Sequence, residues 1–176
     1  MIAEFTRDAA ATAAVFGFFA ASWFGWAQEN PPASWRNWLI AGALLSLLIA
    51  VVGGVFTRQH WSTGTAFSAQ TGRTFGLIVG IEFAIAGIGA GLLSWWGRSD
   101  LIAPWVALVV GLHFVPLAPL LHYPLLYGIS ALVSVVALVT IPLAHAQMLT
   151  VSALTGVATG SILLAAALFS LATVIT

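Results

Sequence analysis

Long apolar stretches make up most of this chain, and short polar segments or prolines and glycines separate them. As α-helices that rise about 1.5 Å per residue, these stretches are long enough, or nearly so, to cross ~30 Å of hydrocarbon. Helices are expected because backbone amides inside a bilayer have no water to bond. The pattern therefore predicts six membrane spans, near residues 9–27, 38–56, 74–93, 101–121, 125–143 and 150–174.

The fold class expected from this pattern is an all-α integral membrane protein, a bundle of six transmembrane helices in a single domain over residues 1–176. The break at residues 145–147 is the weakest boundary, so a bundle of five helices remains an alternative. The longer polar segment at residues 57–73 is expected to be either a plain connector or a segment that closes over a cavity.

Composition narrows the class of protein further. Hydrophobic residues make up 61% of the 176 positions and charged residues 6%, whereas a soluble domain is about a quarter charged. The chain has no cysteine, which excludes disulfides and thiolate metal sites. Lysine is absent and the formal net charge is +0, so no basic surface is available for nucleic acid. We therefore expect the lipid bilayer as the main partner, no nucleic-acid partner and no cofactor.

Tryptophans and arginines predict an orientation in the membrane. With six alternating spans, all tryptophans except Trp61 fall at one interface, where indole rings prefer the headgroup layer. The arginines divide as Arg7, Arg58 and Arg73 on the Trp61 side and Arg36 and Arg98 on the other side. Because cytoplasmic loops carry an excess of basic residues, this division favours both termini in the cytoplasm.

Small residues recur at four-residue spacing in the third and sixth spans. Such stripes let helix backbones approach closely, so that dispersion and weak hydrogen bonds hold the helices together. They predict either packing inside one bundle or a seam between copies in a homo-oligomer. The positions are Gly76, Gly80, Gly87 and Gly91 in the third span and Ser152, Gly156 and Gly160 in the sixth.

Two ionisable residues interrupt the apolar interior of the predicted spans. Glu82 lies within the third span, where inserting a carboxylate costs at least ~2.5 kcal/mol, so a partner or a role is expected for it. The third and fourth spans form a hairpin that turns near residue 97, and Glu82 and His113 lie about fifteen positions before and after that turn. We therefore expect them at similar depth. If helix rotation turns them together, they could share a movable proton or form a structural hydrogen bond between helices.

Pro116 and Pro119 follow His113 in the same span. Each proline lacks an N–H and clashes with the carbonyl four residues back, so the two predict kinked or broken backbone beside His113. Broken backbone at membrane depth is tolerated where it lines a wet cavity, and such sites bind solutes and ions in transporters. Glu82, His113, Pro116 and Pro119 are therefore the candidate substrate- or ion-binding residues, with a simple proline kink as the alternative. No catalytic or metal-binding residue is assigned.

The leading functional interpretation is a small inner-membrane channel or transporter with an intramembrane Glu82–His113 site, which a shared proton would couple to transport. One alternative is an accessory or structural subunit whose helices dock a partner. Another is a membrane-embedded enzyme or sensor for a lipophilic ligand, with Glu82 and His113 as acid and base. The chain has no glycine-rich phosphate loop, GxSxG elbow or HExxH pair, so an enzyme is the less favoured class.

Two segments around these residues resemble those of a known group of proteins. The sequences VGIEF at residues 79–83 and VGLHFVPLA at residues 110–118 are similar to signatures of small uncharacterised bacterial multi-span membrane proteins. The resemblance covers mainly the third and fourth spans. It implies a location in a bacterial inner membrane and implies no particular activity.

Overall fold

The computed structural model describes residues 4–175 of the chain. Over this range the chain forms six long helices, with a short 3₁₀ turn before α2 and another before α4. The helices are α1 (Thr6–Trp26), α2 (Arg36–Gln59), α3 (Ala69–Trp95), α4 (Ile102–Leu120), α5 (Leu125–Gln147) and α6 (Val151–Ile175). All six are long and apolar enough to cross a membrane. The prediction of an all-helical fold with six helices is therefore confirmed for the described residues, and the five-helix alternative is wrong.

The helix ends differ from the predicted spans mainly at two places. α2 continues to Gln59 and α3 begins at Ala69, so the connector predicted at residues 57–73 shortens to 60–68. The break predicted at residues 145–147 is also wrong, because α5 runs to Gln147 and ends at Met148, whose φ of 53° is left-handed. In both cases polar residues continue a helix beyond the apolar stretch from which its bounds were predicted.

α6 occupies the centre of the bundle, where it packs against α1, α2, α4 and α5. α1 packs along α2, α4 packs along α5, and α3 lies at the edge with α4 as its main neighbouring helix. No residue of α3 is fully buried. Because α3 is held mainly from one side, its other faces are left for lipid, for a ligand or for another protein.

Glycines permit two close helix crossings on α1. A Cβ built on Gly53 of α2 would lie 2.6 Å from the Ala14 nitrogen, and one built on Gly156 of α6 would lie 2.7 Å from the Trp23 carbonyl oxygen. Both distances are too short for a side-chain carbon against backbone. These backbones can therefore approach only because the residues are glycine.

The two small-residue stripes have different surroundings. Gly156 and Gly160 of the α6 stripe pack on α1 within the same chain, so this face is not free to join a second copy. The α3 stripe is exposed, and a Cβ built at any of its positions would have no atom within 4 Å; these positions are Gly76, Gly80, Gly87 and Gly91. Association of two copies through α3 stays a prediction.

Apolar side chains cover the outside of the bundle as well as its core. The interior contains closely packed residues such as Phe16, Val133 and Leu163. Large apolar side chains are also exposed around the helices, for example those of Leu44, Val51, Leu77, Ile88 and Leu138. A continuous apolar exterior of this kind is typical of helices that contact lipid.

Candidate functional site

Glu82 and His113 face each other across the α3–α4 hairpin. Glu82 lies at the middle of the 27-residue helix α3, and His113 lies in α4. Glu82 Oε2 and His113 Nε2 are 3.5 Å apart, and the side chains are 11% and 12% exposed, respectively. The hairpin thus brings the two residues to the same depth, and the rotation of both helices turns them together.

The Val110 carbonyl determines which nitrogen of His113 carries a proton. His113 Nδ1 lies 2.6 Å from the Val110 backbone oxygen. A carbonyl oxygen can only accept, so Nδ1–H must be the donor. In a neutral imidazole Nε2 is then the unprotonated nitrogen, and Nε2 is the atom that faces Glu82.

This geometry allows one exchangeable proton to lie between two acceptors, Glu82 Oε2 and His113 Nε2. An unprotonated Nε2 and a carboxylate would point only lone pairs at each other, which is repulsive. One shared proton, on either Glu82 or His113, removes the repulsion and leaves the pair without net charge. Within residues 4–175 Glu82 has no other hydrogen-bonding or ionic partner. At 3.5 Å the atoms are farther apart than in a direct N–H···O bond of roughly 2.7–3.2 Å, so neither group is locked to the other.

A cavity of about 380 Å³ lies in front of this pair, between α1, α3 and α4. Leu126 of α5 and Leu163 of α6 also line it. Its volume is within the range of small-molecule sites, roughly 300–1,000 Å³. Because Glu82 and His113 both line the cavity, the acid–base pair is presented to whatever occupies it.

Aromatic side chains from three helices form much of the cavity surface, and together we call them the aromatic wall. The members are Phe16, Phe19 and Trp23 of α1, Phe75 and Phe83 of α3, and Phe114 of α4. Phe16 and Phe114 meet edge to face with ring centroids 5.5 Å apart, which joins α1 to α4 beside the pair. The His113 ring centroid lies 4.2 Å from that of Phe114. The wall favours an apolar or flat ligand body with a polar group near Glu82.

The cavity opens sideways, between α1 and α3. These helices are not packed along each other, since α1 packs mainly on α2 and α6 whereas α3 packs mainly on α4. The apolar side chains of Val15, Phe19 and Phe83 line the cavity and are largely exposed. An opening with an apolar border suits a solute that enters from lipid.

Polar contacts hold the end of the cavity at which α1 begins. Asp8 Oδ1 accepts a hydrogen bond from Thr65 Oγ1 and Asp8 Oδ2 accepts one from the Ala66 N–H, both at 2.7 Å. These contacts tie the first turn of α1 to the connector before α3, and Asp8 also lines the cavity. The cavity therefore extends from this end of the bundle to the depth of Glu82, about 20 Å along α3 by helical rise.

Pro116 and Pro119 lie away from the cavity. α4 is one continuous helix that includes both prolines, so the backbone beside His113 is not broken, whereas a kink there stays a prediction. Both prolines are exposed, and neither lines the cavity. Successive residues of a helix turn by about 100°, so the cavity face of α4 continues from His113 to Leu117 and leaves the prolines on the outer side.

Sequence reasoning did not identify the aromatic wall or Asp8. The signal for the wall is helical spacing, because Phe16, Phe19 and Trp23 recur at i, i+3 and i+7 and so share one face of α1. Asp8 has no comparable signal, since its partners lie 57 and 58 residues further along the chain. Among the described residues, no group of three or more His, Cys, Asp or Glu side chains is arranged to hold a metal ion.

Comparison of the chain with protein-family models, with curated proteins and with solved structures finds no match. The resemblance of residues 79–83 and 110–118 to small bacterial membrane proteins therefore stays a prediction. The functional interpretation of the cavity rests on its geometry and chemistry alone.

Proposed function

We propose that the chain is a small multi-span membrane transporter in which a lipophilic solute binds beside Glu82 and His113 and exchanges with their shared proton. The observation that carries the proposal is the cavity of about 380 Å³, which connects this pair to an apolar opening between α1 and α3. A channel for hydrated ions is less well supported, because apolar side chains form most of the cavity surface.

The membrane setting of this proposal rests on the six long apolar helices. A location in the bacterial inner membrane is part of the proposal and is supported only by the sequence resemblance. Six crossings put both ends of the described chain on one side of the membrane. We propose that this side, which carries Arg7, Arg58 and Arg73, is cytoplasmic, because basic residues are enriched there.

The shared proton supplies a physical basis for coupling. Removing it changes the net charge of the Glu82–His113 pair by one unit, at the point where the solute is bound. The affinity for the solute therefore differs between the two protonation states, and such a difference is what couples one binding event to another.

Transport is tested with purified protein in liposomes across which a pH gradient is imposed. The probes are cationic rhodamine 6G, neutral Nile red and anionic 8-anilinonaphthalene-1-sulfonate, each followed by fluorescence. We expect the gradient to drive at least one probe through the wild-type protein. We expect Glu82→Gln to abolish that movement, because an amide cannot exchange a proton with His113.

The matched control is Glu29→Gln, the same substitution at an exposed carboxylate in the turn after α1. This variant should transport like the wild type. The proposal fails if the gradient moves none of the three probes, or if Glu82→Gln is as active as the wild-type protein.

A further inference from the structure

The charge of the cavity surface points to the class of solute. Apart from Glu82 and His113, the titratable groups of the described residues that line it are Asp8 of α1 and Tyr123 in the turn before α5. No arginine of the described residues lines it, and the chain has no lysine. α5 and α6 contribute only leucines to it. Among residues 4–175, an anionic solute would meet two carboxyl groups and no permanent cation, so Coulomb attraction favours a positively charged solute.

The aromatic wall favours the same charge. Ring faces attract organic cations, and the attraction strengthens where water is excluded. The apolar surface also matches the hydrocarbon body of an organic cation. A small inorganic cation would instead need several oxygen ligands around it. The described residues offer no group of three or more suitable side chains for that purpose.

We infer that the site takes a lipophilic organic cation and that this cation replaces the proton shared by Glu82 and His113. The inference rests on the proposed function and adds to it the substrate class and the direction of exchange.

With the proton in place the Glu82–His113 pair is neutral, so a bound cation would add an uncompensated charge to an apolar cavity. Once the proton has left, the Glu82 carboxylate balances the cation. Each cation bound therefore releases one proton from the pair to the surrounding solution, and no other bond changes.

Tetraphenylphosphonium tests this exchange, because it carries a fixed charge and no titratable proton. Tetraphenylborate has the same shape and the opposite charge. Titration calorimetry of the purified protein in detergent, in two buffers of different ionisation enthalpy, counts the protons released per ligand. We expect about one proton per cation and an affinity that rises about tenfold per pH unit while the pair holds its proton. Tetraphenylborate should bind more weakly than tetraphenylphosphonium, on the order of tenfold or more.

Variants identify the group that exchanges the proton. Glu82→Gln should weaken tetraphenylphosphonium binding on the order of tenfold or more and abolish the proton release. Glu82→Asp keeps a carboxylate and should keep the release. Glu29→Gln in the same micelles controls for partitioning of the probe into detergent. The comparison of the two tetraphenyl ions on the wild-type protein needs no variant, so it decides the matter even if Glu82→Gln does not fold.

Three results would overturn the inference: tetraphenylborate binds as tightly as the cation, the cation binds without proton release, or Glu82→Gln binds it unchanged. If Nile red or 8-anilinonaphthalene-1-sulfonate is nevertheless transported in a Glu82-dependent way, the transporter proposal stands. Only the inference that the substrate is an organic cation is then wrong. Absence of transport for all three fluorescent probes removes the transporter proposal and the exchange that rests on it.

Discussion

At the residue scale, a backbone carbonyl decides how the imidazole of His113 can act. Val110 accepts a hydrogen bond from Nδ1 and thereby leaves Nε2 as the nitrogen that faces Glu82. The identity and approximate depth of Glu82 and His113 could be read from the sequence, because both interrupt long apolar runs. Their approach to 3.5 Å could not, since it depends on helix rotation. A shift of one residue turns a side chain by about 100°, enough to move Glu82 from the cavity toward lipid.

Tyr123 gives a prediction for alkaline pH. Its side chain is 1% exposed, and its Oη lies 2.7 Å from the buried Oγ of Ser170. Burial raises the pKa of the Tyr123 phenol above its ordinary value of 10.0, and the hydrogen bond with Ser170 offsets part of that effect. Above about pH 10, Tyr123 loses its phenolic proton in the unfolded chain but keeps it in the folded chain. The free energy of unfolding should therefore be constant with respect to this group below about pH 10 and fall as the pH rises further.

Denaturation in detergent at a series of alkaline pH values measures this dependence. In Tyr123→Phe this alkaline fall in the free energy of unfolding should disappear. The variant should also be less stable by ~1–3 kcal/mol at neutral pH, because Ser170 Oγ loses its hydrogen-bond partner. Tyr127→Phe is the matched control, because Tyr127 is exposed. An alkaline profile that is the same in Tyr123→Phe as in the wild-type protein would contradict the assignment.

At the scale of elements, glycine determines which helices approach most closely. The four-residue spacing of small residues predicted close packing in α3 and α6, and the two stripes look alike in the sequence. Only the α6 stripe packs on α1, where the Trp23 carbonyl lies against Gly156. Which stripe faces inward depends on the tertiary packing of its neighbouring helices, and the sequence of the stripe alone does not determine it.

The two stripes therefore provide a matched pair of substitutions. Gly156→Ala should destabilise the bundle by ~1–3 kcal/mol, because the added Cβ meets the Trp23 carbonyl oxygen. Gly80→Ala should be neutral or stabilise α3 by up to ~1 kcal/mol, since no atom lies within 4 Å of the added carbon. Thermal unfolding followed by circular dichroism in one detergent compares them. Equal losses of stability in the two variants would argue against the close α1–α6 crossing.

At the scale of the whole molecule, hydropathy was sufficient to predict six helices and insufficient to arrange them. Both the outward and the inward faces of these helices are apolar, as Leu138 and Val133 of α5 illustrate. A helix in water shows its buried side by the contrast with a polar side, and that contrast is missing here. The central place of α6 and the lateral opening between α1 and α3 therefore had no signal in the hydrophobic pattern.

Single-cysteine labelling tests the proposed topology, and the chain suits it because it has no cysteine of its own. Ser62 and Ser99 are exposed in the loops at opposite ends of α3. A membrane-impermeant maleimide should label Ser99→Cys in intact cells and should label Ser62→Cys only after lysis. Labelling of both in intact cells would contradict a crossing by α3, whereas the reversed pattern would contradict the orientation alone.

α6 joins the α1–α2 pair to the α4–α5 pair, yet it follows all four in chain order. During synthesis those helices would reach the bilayer before the helix that holds them together. Until α6 is inserted, the Tyr123 hydroxyl would lack its hydrogen-bond partner Ser170, and the Trp23 carbonyl would lack its contact with Gly156. A nascent chain interrupted before Val151 would thus expose unfinished contacts to insertion factors and membrane proteases. Premature stop codons upstream of α6 should accordingly lead to degradation rather than to a shortened protein that accumulates.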